Sequence, residues 1–107
     1  EFGHDGSNWQ MSADGFSTTL TSAGSADTSA HYFVAKFNGA SSDLRIDGAS
    51  ENSGDAGTTS GFTQFQIGYS GSATYMDGQI GELLFYDGTM SAGDLTDLET
   101  YLSDKWT

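Results

Sequence analysis

The sequence predicts an all-β domain with one short C-terminal α-helix, and three observations support this fold class. The chain of 107 residues contains 15 glycines and five Asp-Gly dipeptides, which favour tight turns because both residues tolerate positive φ. Segments rich in aromatic and β-branched residues lie between these turns, as in short strands. A helical spacing of apolar residues occurs only near the C-terminus. A chain of this length has room for one core, so residues 1–107 are predicted to form a single domain.

Seven strands are predicted between the turns. They correspond to short runs in which apolar and polar residues alternate, or in which aromatic and β-branched residues cluster. The first two form a hairpin around the Asp14-Gly15 turn, and a polar stretch, residues 50–61, is predicted as a long loop. The predicted strands are residues 8–12, 16–22, 31–38, 43–49, 62–69, 73–76 and 79–86.

The clearest alternation occurs in residues 43–49. Leu44 and Ile46 are predicted to point into the core, whereas Asp43, Arg45 and Asp47 point outward, because successive side chains of a strand lie on opposite faces. Residues 79–86 are apolar enough to predict a central strand. The whole predicted core consists of Phe33, Phe37, Leu44, Ile46, Phe65, Ile67, Ile80, Leu83, Phe85, Leu98 and Trp106.

The C-terminal residues 91–105 are predicted to form the helix. Ser91 and Asp94 make an S-x-x-D start, a weaker form of the capping box. The apolar residues Leu95, Leu98 and Trp106 recur at helical spacing and fall on one face. The helix is therefore expected to cover one end or edge of the β-structure.

The charge of the chain excludes several classes of partner. Fifteen acidic residues and three basic ones give a net charge of −12, which repels nucleic acid and anionic lipid. The absence of cysteine excludes disulfides, zinc-thiolate sites and thiol nucleophiles. No apolar run approaches the roughly 18 residues of a membrane span, so no membrane insertion is expected. The acidic surface attracts cations, and Ca²⁺ is the candidate cofactor.

The C-terminal third of the sequence resembles a known family. Residues 77–106 combine a D-G-x-I-x-E run, an apolar-Tyr ending and a helix that ends in Y-L-x-x-K-W, here Tyr101, Leu102, Lys105 and Trp106. This pattern resembles the laminin-G-like subgroup of the concanavalin A-like lectin/glucanase superfamily. Residues 31–48 and 66–68 resemble the central hairpin and a later strand of the same family. The resemblance implies an antiparallel two-sheet jelly-roll sandwich.

The first thirty residues or so match that family only loosely. Complete members carry more sheet upstream, so strands are expected from a preceding segment or from a neighbouring subunit. The resemblance implies a non-catalytic extracellular, cell-surface or virion-surface module of the carbohydrate-binding or adhesion type. The alternative is a structural or assembly domain of a bacteriophage virion (tail, fibre or capsid decoration) or of a cell-surface layer, with no small ligand. The expected partners are a glycan or neighbouring protein subunits, in a homo-oligomer or a larger assembly.

The sequence gives no support for catalysis. The glucanases of this superfamily use an E-x-D-x-x-E strand, because a retaining glycosidase needs two carboxylates on one face. The four glutamates, Glu1, Glu51, Glu82 and Glu99, have no partner at that spacing. Glu82 is predicted to be a hydrogen-bonded structural carboxylate, and the chain is predicted not to be an enzyme.

Candidate binding residues follow from the chemistry of sugars and of Ca²⁺. A sugar needs an exposed aromatic platform beside amide or carboxylate groups, and a calcium ion needs several oxygen ligands. Asp77 and Asp87 flank one predicted strand in Asp-Gly turns that also expose carbonyls, although the turns alone would account for both residues. The candidate glycan-binding residues are Tyr69, Tyr75, Gln64, Gln66 and Trp9.

Overall fold

The computed structural model describes residues 1–58, 69–70 and 74–107, and the described chain is mostly β with one C-terminal helix. Side chains are described for these residues except for those of β7 and β8. The strands form two three-stranded antiparallel sheets and a two-stranded ladder. The elements are β1 (Phe2–His4), β2 (Asn8–Met11), β3 (Leu20–Ser25), β4 (Phe33–Lys36), β5 (Ser42–Ile46), β6 (Ala49–Gly54), β7 (Tyr69–Ser70), β8 (Thr74–Tyr75) and α1 (Ala92–Trp106).

The first sheet has the order β1-β2-β3. The predicted hairpin of residues 8–12 and 16–22 is present, but its second strand begins only at Leu20. The reason lies in the connection between the strands. The Asp14 carboxylate accepts hydrogen bonds from Ser12 Oγ and Thr18 N, both at 2.8 Å, and Phe16 has a φ of 62°. The side chain of Asp14 thus folds residues 12–18 into a loop.

The second sheet has the order β4-β5-β6. The first two of its strands confirm the predicted hairpin, and Phe33 pairs with Ile46. Asp47 and Gly48 form the next turn with φ values of 50° and 82°, which is why an Asp-Gly dipeptide stands there. The third strand, β6, lies where a loop was predicted over residues 50–61. Three of its six residues are exposed and three are half-buried, which suits polar side chains.

The two sheets share one small apolar core. Met11 and Leu44 are fully inaccessible to solvent, and Trp9, Phe33 and Ala35 pack against the buried residues. Polar contacts also join the sheets, since Asn52 Nδ2 donates to Thr21 O at 2.9 Å. The buried core consists of Met11, Leu20, Leu44, Ile46 and Ala56.

The predicted core is therefore correct for the second sheet and largely wrong for the C-terminal region. Leu44 and Ile46 are buried, and Phe33 and Leu98 are partly buried. Phe65 and Ile67 lie outside the described residues. Five members of the predicted core are exposed instead: Phe37, Ile80, Leu83, Phe85 and Trp106.

Residues 76–91 contain neither helix nor strand, so the predicted strand at residues 79–86 is wrong. This segment is held by side-chain contacts with α1, through Glu82, rather than by a β ladder. Earlier in the chain, the predicted strand at residues 73–76 contains β8, whereas the strand predicted at residues 62–69 lies outside the described residues apart from its last position.

The C-terminal helix confirms the sequence prediction to within one residue. Ser91 caps it, because Ser91 Oγ accepts from Asp94 N at 3.1 Å and donates to Asp94 Oδ2 at 2.7 Å. Glu99 is the buried residue of the helix. Its carboxylate accepts two hydrogen bonds from Arg45 of β5, Nε to Oε1 at 2.6 Å and Nη2 to Oε2 at 3.1 Å. Arg45 alternates with the core residues Leu44 and Ile46, so α1 lies against the sheet face opposite the core.

Candidate functional site

Trp9 lies at the centre of a group of rings contributed by both sheets. Pairing of β1 with β2 places His4 opposite Trp9, and their rings meet edge-on at 5.8 Å. Phe2 is nearly parallel to Trp9, with an interplanar angle of 8° and ring centroids 6.0 Å apart. Phe33 and His31 approach Trp9 edge-on at 4.8 Å and 6.2 Å. We call these five residues, Phe2, His4, Trp9, His31 and Phe33, the aromatic cluster.

An irregularity in β2–β3 pairing positions Trp9. Asn8 pairs with Ser25 and Gln10 pairs with Thr21, so the register shifts at Trp9. The Ser22 hydroxyl replaces the missing backbone partner, accepting from Trp9 N at 3.0 Å and donating to Gly24 O at 2.5 Å. Such bulges re-aim side chains beside functional sites. Here the bulge holds Trp9 against rings of the other sheet.

One member of the cluster, His31, is held between two carboxylates. His31 Nδ1 lies 2.6 Å from Asp47 Oδ2, and His31 Nε2 lies 3.0 Å from Asp27 Oδ1. Asp47 also accepts from Tyr32 N at 3.1 Å, and Asp27 also accepts from Ser29 N at 2.6 Å. We call Asp27, His31 and Asp47 the histidine clamp. It connects the loop after β3 to the turn between β5 and β6.

The clamp shifts the pKa of His31 and the pKa of Asp27. The hydrogen bond with Asp47, and then the one with Asp27, raises the pKa of His31 above its ordinary value because both favour the imidazolium. The Ser29 N–H, followed by His31, lowers the pKa of Asp27 to about 2. A positive imidazolium between two carboxylates is therefore the favoured state of the clamp.

A second cluster gathers around Glu82, in the segment before the helix. Its carboxylate accepts from Tyr101 Oη at 3.0 Å, from Lys105 Nζ at 3.2 Å and from Trp106 Nε1 at 2.9 Å. Lys105 Nζ also lies over the Tyr101 and Trp106 rings, at 5.0 and 5.2 Å. The Trp106 indole first, then Tyr101 and Lys105, lowers the pKa of Glu82. We call these four residues the Glu82 cluster.

The Glu82 cluster shows that Glu82 is hydrogen-bonded, as predicted, and its structural role stays a prediction. It also explains a neighbouring glycine, since a Cβ atom on Gly81 would stand 2.6 Å from the Trp106 ring. Tyr101, Lys105 and Trp106 belong to the helical ending on which the family resemblance rests. Their common partner gives that spacing a physical reason, because residues four or five positions apart on α1 reach one carboxylate.

The predicted glycan-binding residues are only partly brought together. Tyr69 and Tyr75 pair directly across the β7–β8 ladder. Gln64 and Gln66 lie outside the described residues. Trp9 lies in a different sheet, β1-β2-β3. Its described ring neighbours are Phe2, His4, His31 and Phe33.

The predicted calcium ligands Asp77 and Asp87 are both exposed in the segment that precedes α1. Gly88 has a φ of 112°, in keeping with the turn role of Asp87-Gly88. Within residues 1–58, 69–70 and 74–107, no three His, Asp or Glu side chains form a group that could hold a metal ion. Ca²⁺ binding stays a prediction.

The sequence predicted Trp9 as a candidate binding residue but did not predict the residues around it. The alternation of Phe2, Gly3 and His4 places both rings on one face of a strand, which is a signal that was present. The partners from the second sheet gave no such signal, because His31 and Asp47 are 16 residues apart in the chain.

No described helix is long and apolar enough to cross a membrane.

Comparison of this chain with known protein families, with curated proteins and with solved structures finds no match.

Proposed function

We propose that this chain is a non-catalytic recognition module of the laminin-G-like jelly-roll type that binds glycans at the aromatic cluster. The observation that carries the proposal is the arrangement around Trp9, in which aromatic rings from both sheets lie beside a histidine and two carboxylates. An extracellular, cell-surface or virion-surface location fits this role and the acidic surface.

The cluster supplies both kinds of contact that a sugar requires. A pyranose presents an apolar C–H face, which packs on aromatic rings, and a rim of hydroxyls, which bond to polar groups. Phe2 is 41% exposed and nearly parallel to Trp9, so it offers an accessible ring surface. Asp27 and Asp47, which contact His31 of the cluster, supply exposed carboxylate oxygens.

A glycan array tests the proposal, with Phe2→Ala as the site variant. Removing the ring should weaken binding about tenfold, the size of one aromatic contact of about 1.4 kcal/mol. Phe37→Ala is the matched control, since Phe37 is 44% exposed and lies outside the aromatic cluster. Absence of any glycan hit, or an equal loss in both variants, contradicts the proposal.

The array should be run with and without Ca²⁺, because a calcium-assisted site remains part of the proposal. If Asp77 and Asp87 ligate Ca²⁺, the melting temperature rises with Ca²⁺ and falls on chelation, since a ligand bound only to the folded state stabilises it. Asp77→Asn should abolish that response. An unchanged melting temperature under both treatments rejects the metal.

A second candidate function is assembly with neighbouring copies of the chain. Leu83 and Leu84 are 47% and 51% exposed, and Ile80 lies near them in sequence and is also exposed. Such a run of exposed apolar side chains is typical of an interface. The net charge of −12 opposes contact between copies at low salt. At about 1 M salt the Debye length falls to about 3 Å, and the apolar contact can then form.

Sedimentation velocity at low and high salt tests the assembly function. It predicts a monomer at low salt and larger species at high salt. Replacing Leu83 and Leu84 together by Ser should abolish those species, whereas Phe37→Ser should leave them in place. A monomer at both salt concentrations excludes self-assembly.

A further inference from the structure

The histidine clamp requires two protons on one ring. Carboxylates only accept hydrogen bonds, and a neutral imidazole has one N–H. His31 faces Asp47 with Nδ1 at 2.6 Å and Asp27 with Nε2 at 3.0 Å, so both contacts are hydrogen bonds only in the imidazolium form. In the neutral form one ring nitrogen turns its lone pair toward a carboxylate oxygen, and that contact must open.

The contact with Asp27 is the one that should open. It is the longer of the two, and the Asp27 side chain is 53% exposed against 43% for Asp47. Each carboxylate also accepts a backbone N–H, Asp27 from Ser29 and Asp47 from Tyr32, but only Asp47 stands in the tight β5–β6 turn. Loss of the Asp27 contact frees the loop after β3 from the ring of His31.

The same ring touches the residue at the centre of the aromatic cluster. His31 meets Trp9 at 6.2 Å with an interplanar angle of 71°, and it meets Phe33 at 5.9 Å. Once Asp27 is released, His31 is held by Asp47 at Nδ1 alone, and a turn of the ring about that contact changes the packing of both rings. Because Trp9 also packs on Phe2, the change reaches the exposed ring surface.

We propose that the charge of His31 sets the position of Trp9, so that the aromatic cluster binds its glycan more tightly when His31 is protonated than when it is neutral. For its ligand the inference rests on the proposed function, whereas the movement of Trp9 needs no ligand. His31 acts as a positioning residue, since it works through the ring of Trp9.

The titratable groups around the clamp can be separated. Asp27 comes from the loop after β3, Asp47 from the β5–β6 turn and Tyr32 from the residue next to His31. His4 of β1 is a second imidazole that contacts the Trp9 ring, at 5.8 Å. Any effect on Trp9 must therefore be assigned to one of the two histidines.

Nuclear magnetic resonance of the whole chain makes that assignment. The imidazole resonances of His4 and His31 and the indole N–H resonances of Trp9 and Trp106 are followed from acid to alkaline pH. We expect the Trp9 indole to shift with the midpoint of His31, above the ordinary histidine value of about 6.5, while Trp106 does not follow it. Glycan affinity should fall by up to about fivefold as the pH rises through the same midpoint. This is the size of the effect of one net hydrogen bond.

Two variants of equal charge separate the clamp from a general electrostatic effect. Asp27→Asn removes one carboxylate of the clamp and should move the His31 and Trp9 midpoints to lower pH. Asp55→Asn is the matched control. Asp55 is also exposed and also accepts from the N–H two residues ahead, that of Gly57, but it has no part in the clamp. It should leave both midpoints within the small change that one distant charge produces.

Each outcome decides between the clamp and the glycan function. A Trp9 resonance that stays constant through the His31 titration, or that follows His4, overturns the proposal that His31 sets the position of Trp9. Glycan binding that does not depend on pH overturns the proposed effect of His31 on binding and is consistent with the glycan function. A Trp9 shift that follows His31, in a protein that binds no glycan at any pH, supports the effect of His31 on Trp9 and rejects the glycan function.

Discussion

The N-terminal region, residues 1–58, and the C-terminal region, residues 74–107, are held in place by different interactions. In the N-terminal region Met11 and Leu44 are completely buried. In the C-terminal region the buried side chain of the helix is Glu99, while Ile80, Leu83 and Leu84 are exposed. The first region is stabilised by an apolar core between two sheets, and the second is attached through charged hydrogen bonds.

The use of the basic residues sharpens this contrast. The chain has three of them, and two pair with acidic side chains of the C-terminal region. Arg45 pairs with Glu99 across the sheet-to-helix contact, and Lys105 pairs with Glu82. Arg45 thus joins the second sheet to α1, and Lys105 joins α1 to the segment that precedes it.

The largest expected effect comes from the apolar core. Leu44→Ala should destabilise the protein by about 3 kcal/mol, because it leaves a cavity at a fully buried site. Leu84→Ala removes the same atoms from a side chain that is 51% exposed, and it should cost under about 0.5 kcal/mol. Urea unfolding of both variants measures the difference. Equal losses would mean that the two regions share one apolar core.

The sheet-to-helix ion pair should come next. Arg45→Met leaves Glu99 without its two hydrogen bonds and should cost about 2 kcal/mol. Because two apolar replacements restore a matched contact, Arg45→Met combined with Glu99→Leu should cost less than the sum of the single changes. A double-mutant cycle by urea unfolding measures the coupling. Strict additivity of the two single changes would show that the pair contributes nothing.

A smaller effect is expected where Gly81 contacts the C-terminal ring. Gly81→Ala places a methyl group 2.6 Å from an atom of Trp106, so the ring must move. Trp106 is exposed and can shift, and the cost should stay near about 1 kcal/mol. Indole resonances report the movement, with Trp9 as the internal control. A Trp106 signal that does not change would mean that Gly81 and Trp106 are not in contact.

The sequence predicted those parts of the fold that depend on local signals. The alternation of Leu44, Arg45 and Ile46 predicted the buried face of β5, and Ser91 with Asp94 predicted the start of α1, because both signals are local. Glu82 was predicted to be hydrogen-bonded, and its partners on the helix confirm that part of the prediction.

Local signals failed where the deciding partner is distant in sequence. β1 is three residues long and contains a glycine, and β6 is polar, so neither resembles an apolar strand. The apolar run of residues 79–86 predicted a central strand, but contacts of Glu82 and Gly81 with α1 hold this segment instead. The Arg45–Glu99 pair spans 54 positions, and only the folded chain brings its members together. The partners of Trp9 from the second sheet were missed for the same reason, because they too are distant from it in the sequence.

The smallest effect concerns pH, and it arises in the N-terminal region. The pKa of His31 is raised in the folded state, so its contribution to stability is fully present below about pH 6.5 and is lost as the pH rises through the folded pKa. The folded pKa of Asp27 is lowered from 3.8 to about 2, so its contribution is present above 3.8 and is lost toward 2. His31→Phe should flatten the alkaline loss. Melting temperatures across pH measure this, and an unchanged alkaline slope would contradict the assignment.

Native-state hydrogen exchange of the wild type and of Glu99→Gln tests the two-region contrast most directly. Regions that are attached by different interactions open as separate units. Removing the charge of Glu99 should speed the exchange of α1 amides much more than that of the slow amides in β2 and β3, because the apolar core between the sheets remains intact. If the amides of α1, β2 and β3 all exchange faster by the same factor, the chain opens as one unit, and the contrast between an apolar N-terminal core and a polar C-terminal attachment is wrong.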